Sequence, residues 1–265
     1  MGTPDLNSRD SIILVFGRTG SGKSTFINNV IDPEHEVAPT DPGFDSCTEQ
    51  VGSYLVPLEH PFYQHVPKSM RSGRLFLVDT PGFDAFQGNA SRAFEEVCKM
   101  LISVNDKGAQ VGGMVYLCRC FPSKVGGEHL ADLRVFREIC GTAFLQKAVL
   151  CVTGSNLCNR KEVIENRLTG LRDKYWASLI EGGAQMKLLE NTPDSANEVL
   201  ITFAQSAFRR DHLPALLEQL KHDHNPQSTI PGKIIRRNWI RQLTGKTLDY
   251  MRKLLGLNRM FVKSV

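Results

Sequence analysis

An apolar run that leads straight into a glycine-rich octapeptide limits the possible folds of this chain more than any other feature. Residues 12–16 read Ile-Ile-Leu-Val-Phe, and residues 17–24 read Gly-Arg-Thr-Gly-Ser-Gly-Lys-Ser. The octapeptide fits the pattern GxxxxGK[ST] at every fixed position. The apolar run predicts a buried strand, and the periodic residues 26–31 predict a helix after the loop. This order predicts a strand, loop and helix whose backbone N–H groups enclose a phosphate.

Each position of the loop has an expected role. Lys23 is expected to reach the β- and γ-phosphates, and the Ser24 hydroxyl is expected to ligate Mg²⁺. A glycine-rich turn that arose by chance is the alternative, but the flanking strand and helix argue against it. The positions predicted to bind nucleotide here are Gly17, Thr19, Gly20, Ser21, Gly22, Lys23, Ser24 and Thr25.

A second phosphate-side motif follows the apolar residues 75–78. Asp79 ends that run, and Thr80-Pro81-Gly82 comes next. Asp79 is predicted to hold a water molecule bound to Mg²⁺, and the Gly82 N–H is predicted to meet a γ-phosphate. Proline and glycine are common in ordinary turns, so this motif alone would be weak. In this order the two motifs predict a nucleoside triphosphatase, and the sequence DTPG indicates the GTPase branch.

Between these motifs, residues 32–67 are rich in proline, glycine and aspartate, with a weak strand near residues 54–57. A long irregular loop at this place suggests a functional segment. Thr48 is our candidate for a switch threonine, whose hydroxyl completes the Mg²⁺ shell while a γ-phosphate is present. Thr40, Ser46 and Ser53 remain competing candidates.

Short apolar runs alternate with amphipathic stretches along the rest of the chain. This order predicts an α/β fold in which helices cover both faces of a mostly parallel central sheet, as in a three-layer P-loop NTPase. The predicted strands are residues 12–16, 75–78, 114–118, 149–152 and 186–189, and the predicted helices are residues 26–31, 93–104, 130–139, 163–171 and 199–207.

Charge is unevenly distributed, although the formal net charge is only +4. From His222 to the end there are nine basic and two acidic residues, so the rest of the chain is slightly acidic. Such a body argues against a nucleic-acid partner. The predicted organisation is a G domain over residues 1–221, a polar linker over 222–232 and a basic amphipathic helical extension over 233–265.

The extension carries its apolar residues near one helical face, with basic side chains on the others. Three arrangements stay open: packing on the domain, peripheral contact with an anionic membrane, and binding to a partner helix. Apolar residues on the predicted face are Ile235, Trp239, Leu243, Leu248, Met251 and Leu255.

Two further features bear on where the chain acts. Uninterrupted apolar runs of about 18 residues are absent from the sequence, and its first ten residues do not resemble a signal peptide. The seven cysteines are odd in number and lack paired CxxC spacing. We therefore expect a cytoplasmic protein with reduced, buried thiols, which can be peripheral to membranes through its C-terminal helix.

Several segments together resemble the G domains of fungal septin-like and immunity-associated (AIG-type) P-loop GTPases. The similarity covers roughly residues 12–205 and rests on the two phosphate-side motifs, the SCT tripeptide 46–48, GMVYLCR, LRVFREICG and residues 175–196. This resemblance implies binding of GTP and GDP with Mg²⁺, slow hydrolysis, and nucleotide-dependent assembly such as a homodimer through the G-domain face.

Two positions decide how far the resemblance extends to activity and base choice. Phe83 stands where many small GTPases have a glutamine that orients water, so intrinsic hydrolysis is expected to be slow. Thr153-Gly154-Ser155-Asn156 stands where TxxD or NKxD would supply an aspartate to the guanine edge. The Asn156 amide offers one acceptor oxygen and an NH₂ that faces a donor, so relaxed base specificity is one expectation. A different residue that reads the base is a second, and a plain turn at residues 153–156 with no role in base binding is a third. Asn191 is a further candidate on the guanine side.

Two arginines near the motifs are assigned no catalytic role. For Arg18 a solvent-facing side chain is favoured over an arginine finger, and for Arg119 a salt bridge at the sheet edge is favoured over a contact in trans. The sequence thus predicts a slow, Mg²⁺-dependent GTPase that acts as a conformational or assembly switch, with Lys23, Thr48 and Gly82 in catalysis and Ser24, Thr48 and Asp79 at the metal. The alternative is a non-catalytic scaffold stabilised by nucleotide.

Overall fold

The computed structural model describes residues 4–40, 51–82, 90–120, 127–238, 240 and 244. The predicted switch residue Thr48 and the predicted water-site residue Phe83 lie outside these ranges, as does Cys47. Most of the predicted basic extension beyond residue 238 also lies outside them.

A six-stranded sheet forms the centre of the fold, in the order β2-β3-β1-β4-β5-β6. All neighbouring strands are parallel except β2 and β3, which are antiparallel. The strands are β1 (Ser11–Gly17), β2 (Gly52–Leu55), β3 (Leu75–Asp79), β4 (Gln110–Arg119), β5 (Ala148–Thr153) and β6 (Gln185–Leu189). Because β1, β3, β4, β5 and β6 run the same way, their carboxyl ends share one edge, where both phosphate-side motifs lie.

Helices connect most of these strands. They are α1 (Lys23–Ile31), α2 (Phe62–His65), α3 (Ala90–Asp106), α4 (Gly127–Cys140), α5 (Lys161–Gly170), α6 (Ala177–Glu181), α7 (Pro193–Ile201) and α8 (Ala215–Asp223). A π-helical turn, Leu171–Tyr175, follows α5. Residues 230–238 form a further helix, α9.

The sheet is covered on both faces, as the continuous apolar strands predict. All seven residues of β1 are buried, and its side chains alternate between two core clusters. Leu14 and Phe16 belong to the cluster that includes α3, α4 and α8 residues, whereas Ile13 and Val15 belong to the cluster with α1 and α7 residues. The predicted three-layer α/β fold is therefore confirmed.

One predicted helix was misplaced. The pattern favoured residues 199–207, but α7 begins at Pro193 and ends at Ile201. The Thr192 hydroxyl caps its start by accepting from the Ser195 N–H at 3.3 Å. Proline at the first helical position reinforces this start, since its missing N–H needs no partner there. The capping residues thus decided the helix boundary against the apolar periodicity.

The predicted linker contains the end of one helix and the start of the next. After α8 ends at Asp223, His224 adopts φ 48°, and the Asn225 side chain accepts from the Gln227 N–H at 3.0 Å. Helix α9 then buries Ile234 and Ile235 in the core cluster shared with α3 and α8. The first turns of the predicted extension therefore pack against the domain, which is one of the three arrangements left open by the sequence.

Among the residues that the structure describes, six cysteines are free thiols, and all except Cys158 are buried. Burial raises the pKa of Cys98 to about 12 and that of Cys118 to about 11, so these thiols stay protonated at neutral pH. The described helices include none long and apolar enough to cross a membrane.

An ion pair at the opposite, amino-terminal edge of the sheet supports the fold. Asp10 is 1% exposed and accepts from the Arg74 guanidinium at 2.6 and 3.1 Å. Burial raises the pKa of Asp10, but the hydrogen bonds from Arg74 and from the Asn7 N–H outweigh it and leave the pKa below its ordinary value. The folded state therefore favours the ionised carboxylate.

Removing the guanidinium should destabilise the fold because it leaves a buried charge without its partner. We expect Arg74→Ala to lower the free energy of unfolding by about 1–2 kcal/mol at pH 7, less than for a fully buried pair, because the Arg74 side chain is 37% exposed. The Asp10 contribution is complete above its unfolded pKa of about 3.9 and is lost as the pH falls through its lower folded pKa. Urea unfolding at neutral and acidic pH tests this, with the exposed Arg92→Ala as control. An equal loss at both pH values would contradict the electrostatic explanation.

Candidate functional site

The glycine-rich loop between β1 and α1 has the backbone that its sequence predicts. Gly20 has φ 73° and Gly22 has φ 96°, both in the left-handed region that favours glycine. A Cβ atom at Gly17 would lie 2.5 Å from the Leu117 carbonyl oxygen on β4. Glycine at these positions therefore permits both the turn and the close approach to the neighbouring strand.

Lys23 begins α1 and is 6% exposed. Its Nζ atom lies 3.2 Å from the carbonyl oxygens of Gly17 and Arg18 and donates to both. The ammonium is thus held across the loop, next to the N-terminal end of a helix. Both features favour an anion at this place.

Ser24 and Asp79 meet although they are far apart in sequence. In the parallel pairing of β1 with β3, Val15 lies opposite Asp79, so the end of β3 lies beside the loop. The Ser24 hydroxyl donates to the Asp79 carboxylate at 2.8 Å. One hydroxyl and one carboxylate oxygen at this spacing suit Mg²⁺, which prefers oxygen ligands and commonly takes the others from water and phosphate. The predicted metal residues other than Thr48 are therefore adjacent.

Gly82 lies directly against the glycine-rich loop. A Cβ atom at this position would come within 2.9 Å of the Thr19 backbone nitrogen. The segment is held there by Thr80, whose hydroxyl donates to the Val15 carbonyl oxygen at 2.8 Å. The structure thus brings Gly82 next to the loop, as its predicted contact with a γ-phosphate requires.

The loop after β5 approaches the same glycine-rich segment. The Thr153 hydroxyl donates to the Ser21 carbonyl oxygen at 2.8 Å, which ties the two loops together. Gly154 then adopts φ 68°, and Ser155–Leu157 form a 3-10 turn. Asn156 therefore lies on a short, fixed turn beside the phosphate loop.

A cavity of about 260 Å³ lies between the phosphate loop, the last residue of β4 and the loops after β5 and β6. Thr25, Asn156 and Asn191, three of the residues predicted to bind nucleotide, line it together with the apolar side chain of Leu157, which is 61% exposed. The Asn191 side-chain oxygen accepts from Asn29 at 2.9 Å. Part of the glycine-rich loop and the base-side candidates Asn156 and Asn191 thus border the same cavity.

Sequence reasoning missed one charged residue at this cavity and misjudged another. Glu190 directly follows β6, is exposed, and lines the cavity beside Asn156 and Asn191. Its place after a strand was the available signal, because carboxyl ends of parallel strands share one edge. Arg119, the last residue of β4, also lines the cavity and forms no ion pair with the described residues, in contrast to the predicted salt bridge.

The prediction for Arg18 was wrong. Its side chain is only 23% exposed, and its Nη1 lies 3.5 Å from the carboxylate of Asp132, which is 1% exposed. Asp132 lies on α4, so this ion pair links the phosphate loop to a helix across the sheet edge. The buried carboxylate on another element gave no signal in the local sequence.

Comparisons with known proteins agree with this geometry. Residues 12–116 match the family described as 50S ribosome-binding GTPase. Curated proteins yield no match to the chain.

Solved structures of Toc33 from Arabidopsis thaliana resemble the fold at low sequence identity. The complex with GDP and Mg²⁺ has a TM-score of 0.58 at 13% identity, covering 78% of this chain and 88% of that chain. A dimerization-deficient mutant of Toc33 has a TM-score of 0.56 at 14% identity, covering 77% and 86%. The chain therefore has the α/β fold of a P-loop GTPase domain.

Proposed function

We propose that this protein binds GTP and GDP with Mg²⁺, hydrolyses GTP slowly, and acts as a conformational or assembly switch. The observation that carries the proposal is the Ser24 hydroxyl, 2.8 Å from the Asp79 carboxylate beside a glycine-rich loop whose ammonium group, Lys23, is held across it. A hydroxyl, a carboxylate and an ammonium around a loop at a helix N-terminus suit a triphosphate with its metal.

The chain's own residues have separate roles in this proposal. Loop N–H groups and Lys23 bind the β- and γ-phosphates and stabilise the charge that develops on them. Ser24 and Asp79 would hold Mg²⁺, with Thr48 completing the set in the GTP state. Bound Mg²⁺ would neutralise negative charge on the phosphate oxygens. The Gly82 N–H would contact the γ-phosphate and so distinguish GTP from GDP.

Guanine recognition needs a group that accepts from the base N1–H and the 2-amino group. Asn156 carries one acceptor oxygen, and the Asn191 oxygen already accepts from Asn29. The Glu190 carboxylate on the same cavity can accept both bonds. We therefore propose that Glu190 reads the guanine edge, with Asn156 beside it.

Slow hydrolysis and assembly are proposed from the sequence and from structural relatives. Phe83 cannot orient water by hydrogen bonding, so a second group should be needed for faster turnover. Dimerization is important for the GTPase activity of the chloroplast translocon components atToc33 and psToc159. The corresponding solved structure has a TM-score of 0.51 at 14% identity, covering 78% of this chain and 86% of that chain. By analogy, we propose a homodimer of this protein through its G-domain face.

We also propose membership of a narrower GTPase branch and peripheral contact with membranes. Residues 175–196 support the septin-like or immunity-associated branch, and the basic charge beyond residue 232 supports peripheral membrane contact by a cytoplasmic protein.

Nucleotide identity and turnover test the main proposal. The nucleotide that co-purifies with the protein is expected to be GDP or GTP, and phosphate release should continue over many turnovers at high protein concentration. A co-purified adenine nucleotide would contradict guanine binding. Tight GTP binding without turnover would instead support the nucleotide-stabilised scaffold.

Gly82→Ala should weaken GTP binding more than GDP binding. The added methyl group would come within 2.9 Å of the Thr19 nitrogen, so residue 82 must move away from the loop and from the γ-phosphate. Loss of a hydrogen bond to a charged group predicts about a tenfold or larger drop in affinity for a non-hydrolysable GTP analogue. Calorimetric titration with the analogue and with GDP measures the difference.

The matched control is Gly170→Ala on α5, where an added Cβ would meet no atom within 4 Å. This variant should bind both nucleotides as the unmodified protein does. If Gly82→Ala lowers the affinity for both nucleotides equally, the proposed γ-phosphate contact is wrong.

A further inference from the structure

The loop after β5, residues 153–156, is called the base-side loop here, and it lacks a positive side chain at its second residue, Gly154. An NKxD sequence would place a lysine at its second residue, whereas this chain has Gly154 there. Gly154 adopts φ 68°, a conformation that side chains rarely take. No side chain of the loop itself therefore covers the backbone at Gly154, between the phosphate side and the base side of the cavity.

Arg119 from the neighbouring strand covers this bare backbone. Arg119 lies opposite Thr153 in the parallel pairing of β4 with β5, which brings its side chain beside the next residue, Gly154. A Cβ atom at Gly154 would lie 3.6 Å from the Arg119 Cγ and 3.8 Å from its Nε. The stem of the arginine thus occupies the space next to the glycine.

The other end of the same side chain lies near the phosphate loop. A Cβ atom at Gly20 would lie 4.0 Å from the Arg119 Nη1. The guanidinium therefore extends from the base-side loop towards the phosphate loop, along one wall of the cavity that both loops line. A nucleotide whose phosphates occupy the glycine-rich loop and whose base reaches Asn156 must pass beside it.

The exposure and bonding of Arg119 suit a ligand contact. The residue is exposed, and its guanidinium makes no hydrogen bond or ion pair within the described part of the chain. A guanidinium is planar and weakly hydrated, so it stacks readily on flat ring systems. Leu157, whose Cδ1 would lie 3.3 Å from a Cβ at Gly154, adds an apolar surface beside the same position.

We infer that Arg119 binds the nucleotide in cis, with its guanidinium stacked on a face of the purine and its stem replacing the side chain that Gly154 lacks. This inference rests on the proposed nucleotide function and adds a residue to its binding site. In this arrangement Arg119, at the end of β4, supplies the positive charge that the lysine of an NKxD sequence would supply from the loop after β5. The same protomer supplies both the arginine and the loops that it bridges.

Titrations of GDP and of inorganic pyrophosphate, each with Mg²⁺, test the inference on the full chain. Stacking on the base predicts that Arg119→Ala weakens GDP binding about tenfold or more and leaves pyrophosphate binding unchanged. Arg119→Lys should recover only part of the GDP affinity because an ammonium lacks the planar face. The control is Arg9→Ala, an exposed arginine that precedes β1 at the opposite edge of the sheet.

Three results would overturn the inference. The first is equal GDP affinity in Arg119→Ala and the unmodified protein, and the second is an equal loss for pyrophosphate, which would indicate a phosphate contact. The third is a loss that appears only at protein concentrations where sedimentation shows a dimer, which would indicate a contact in trans. Failure of the unmodified protein to bind any guanine nucleotide would instead remove the proposed function together with this inference.

Discussion

Replacing Lys23 by alanine is expected to lower GTP affinity by about a hundredfold and to abolish multiple-turnover phosphate release. In the structure the Lys23 ammonium is almost fully buried and spans the loop by donating to two carbonyl oxygens, each at 3.2 Å. The substitution removes the only side-chain cation assigned to the phosphates in this proposal. Charge-assisted hydrogen bonds contribute about 1.5–3 kcal/mol each, so losing the contacts to the β- and γ-phosphates accounts for a drop of this size.

Binding and turnover should be measured on the same preparations, because the substitution also removes two contacts inside the loop. Thermal unfolding without nucleotide reports whether the loop still folds, and Lys68→Ala, at an exposed lysine of a separate 3-10 turn, is the matched control. Lys23→Met would retain much of the buried volume without the charge and should behave like Lys23→Ala. Retained phosphate release in both variants would contradict the assigned role.

The phosphate side of the site could be predicted from the sequence because its signals are local. The loop pattern fixes Gly17 to Ser24 within one strand, turn and helix, and Asp79 ends an apolar strand of its own. Parallel strands end at one edge of the sheet, so both residues were expected there, and the pairing of β1 with β3 in the structure brings them into contact. The strands were predictable for a similar reason, since buried parallel strands appear as continuous apolar runs.

The base side was harder to predict because its residues come from three strand ends. Arg119, Asn156 and Glu190 border one cavity, but each follows or ends a different strand. Single-sequence patterns do not give the register of one strand against the next, so the approach of Arg119 to Gly154 is visible only in the fold. The same limit applies to the ion pair of Arg18 with Asp132, whose partners lie on different elements.

Glu190→Gln is expected to weaken GDP binding about tenfold to a hundredfold and to remove most of the preference for GDP over IDP. IDP lacks the 2-amino group, so its binding should change less when the carboxylate is replaced. The backbone of Glu190 is fixed by its N–H, which donates to the Ser195 hydroxyl at 3.0 Å, and this bond should survive the substitution. The expected range follows from about 1.5–3 kcal/mol for a hydrogen bond to a charged group.

The amide of Asn156 is the competing reader of the base, and XDP separates it from Glu190. XDP carries a carbonyl oxygen where GDP carries the 2-amino group. If the Glu190 carboxylate faces this edge, the unmodified protein should bind GDP more tightly than XDP, because two acceptors would then oppose each other in the XDP complex. If the Asn156 NH₂ faces it instead, the order should reverse, and Asn156→Asp should restore GDP preference while Glu190→Gln has little effect.

Competition titrations with GDP, IDP and XDP on the unmodified protein and both variants therefore assign the guanine edge to one side chain. The reversed order would contradict the role proposed for Glu190 and leave the phosphate site unaffected.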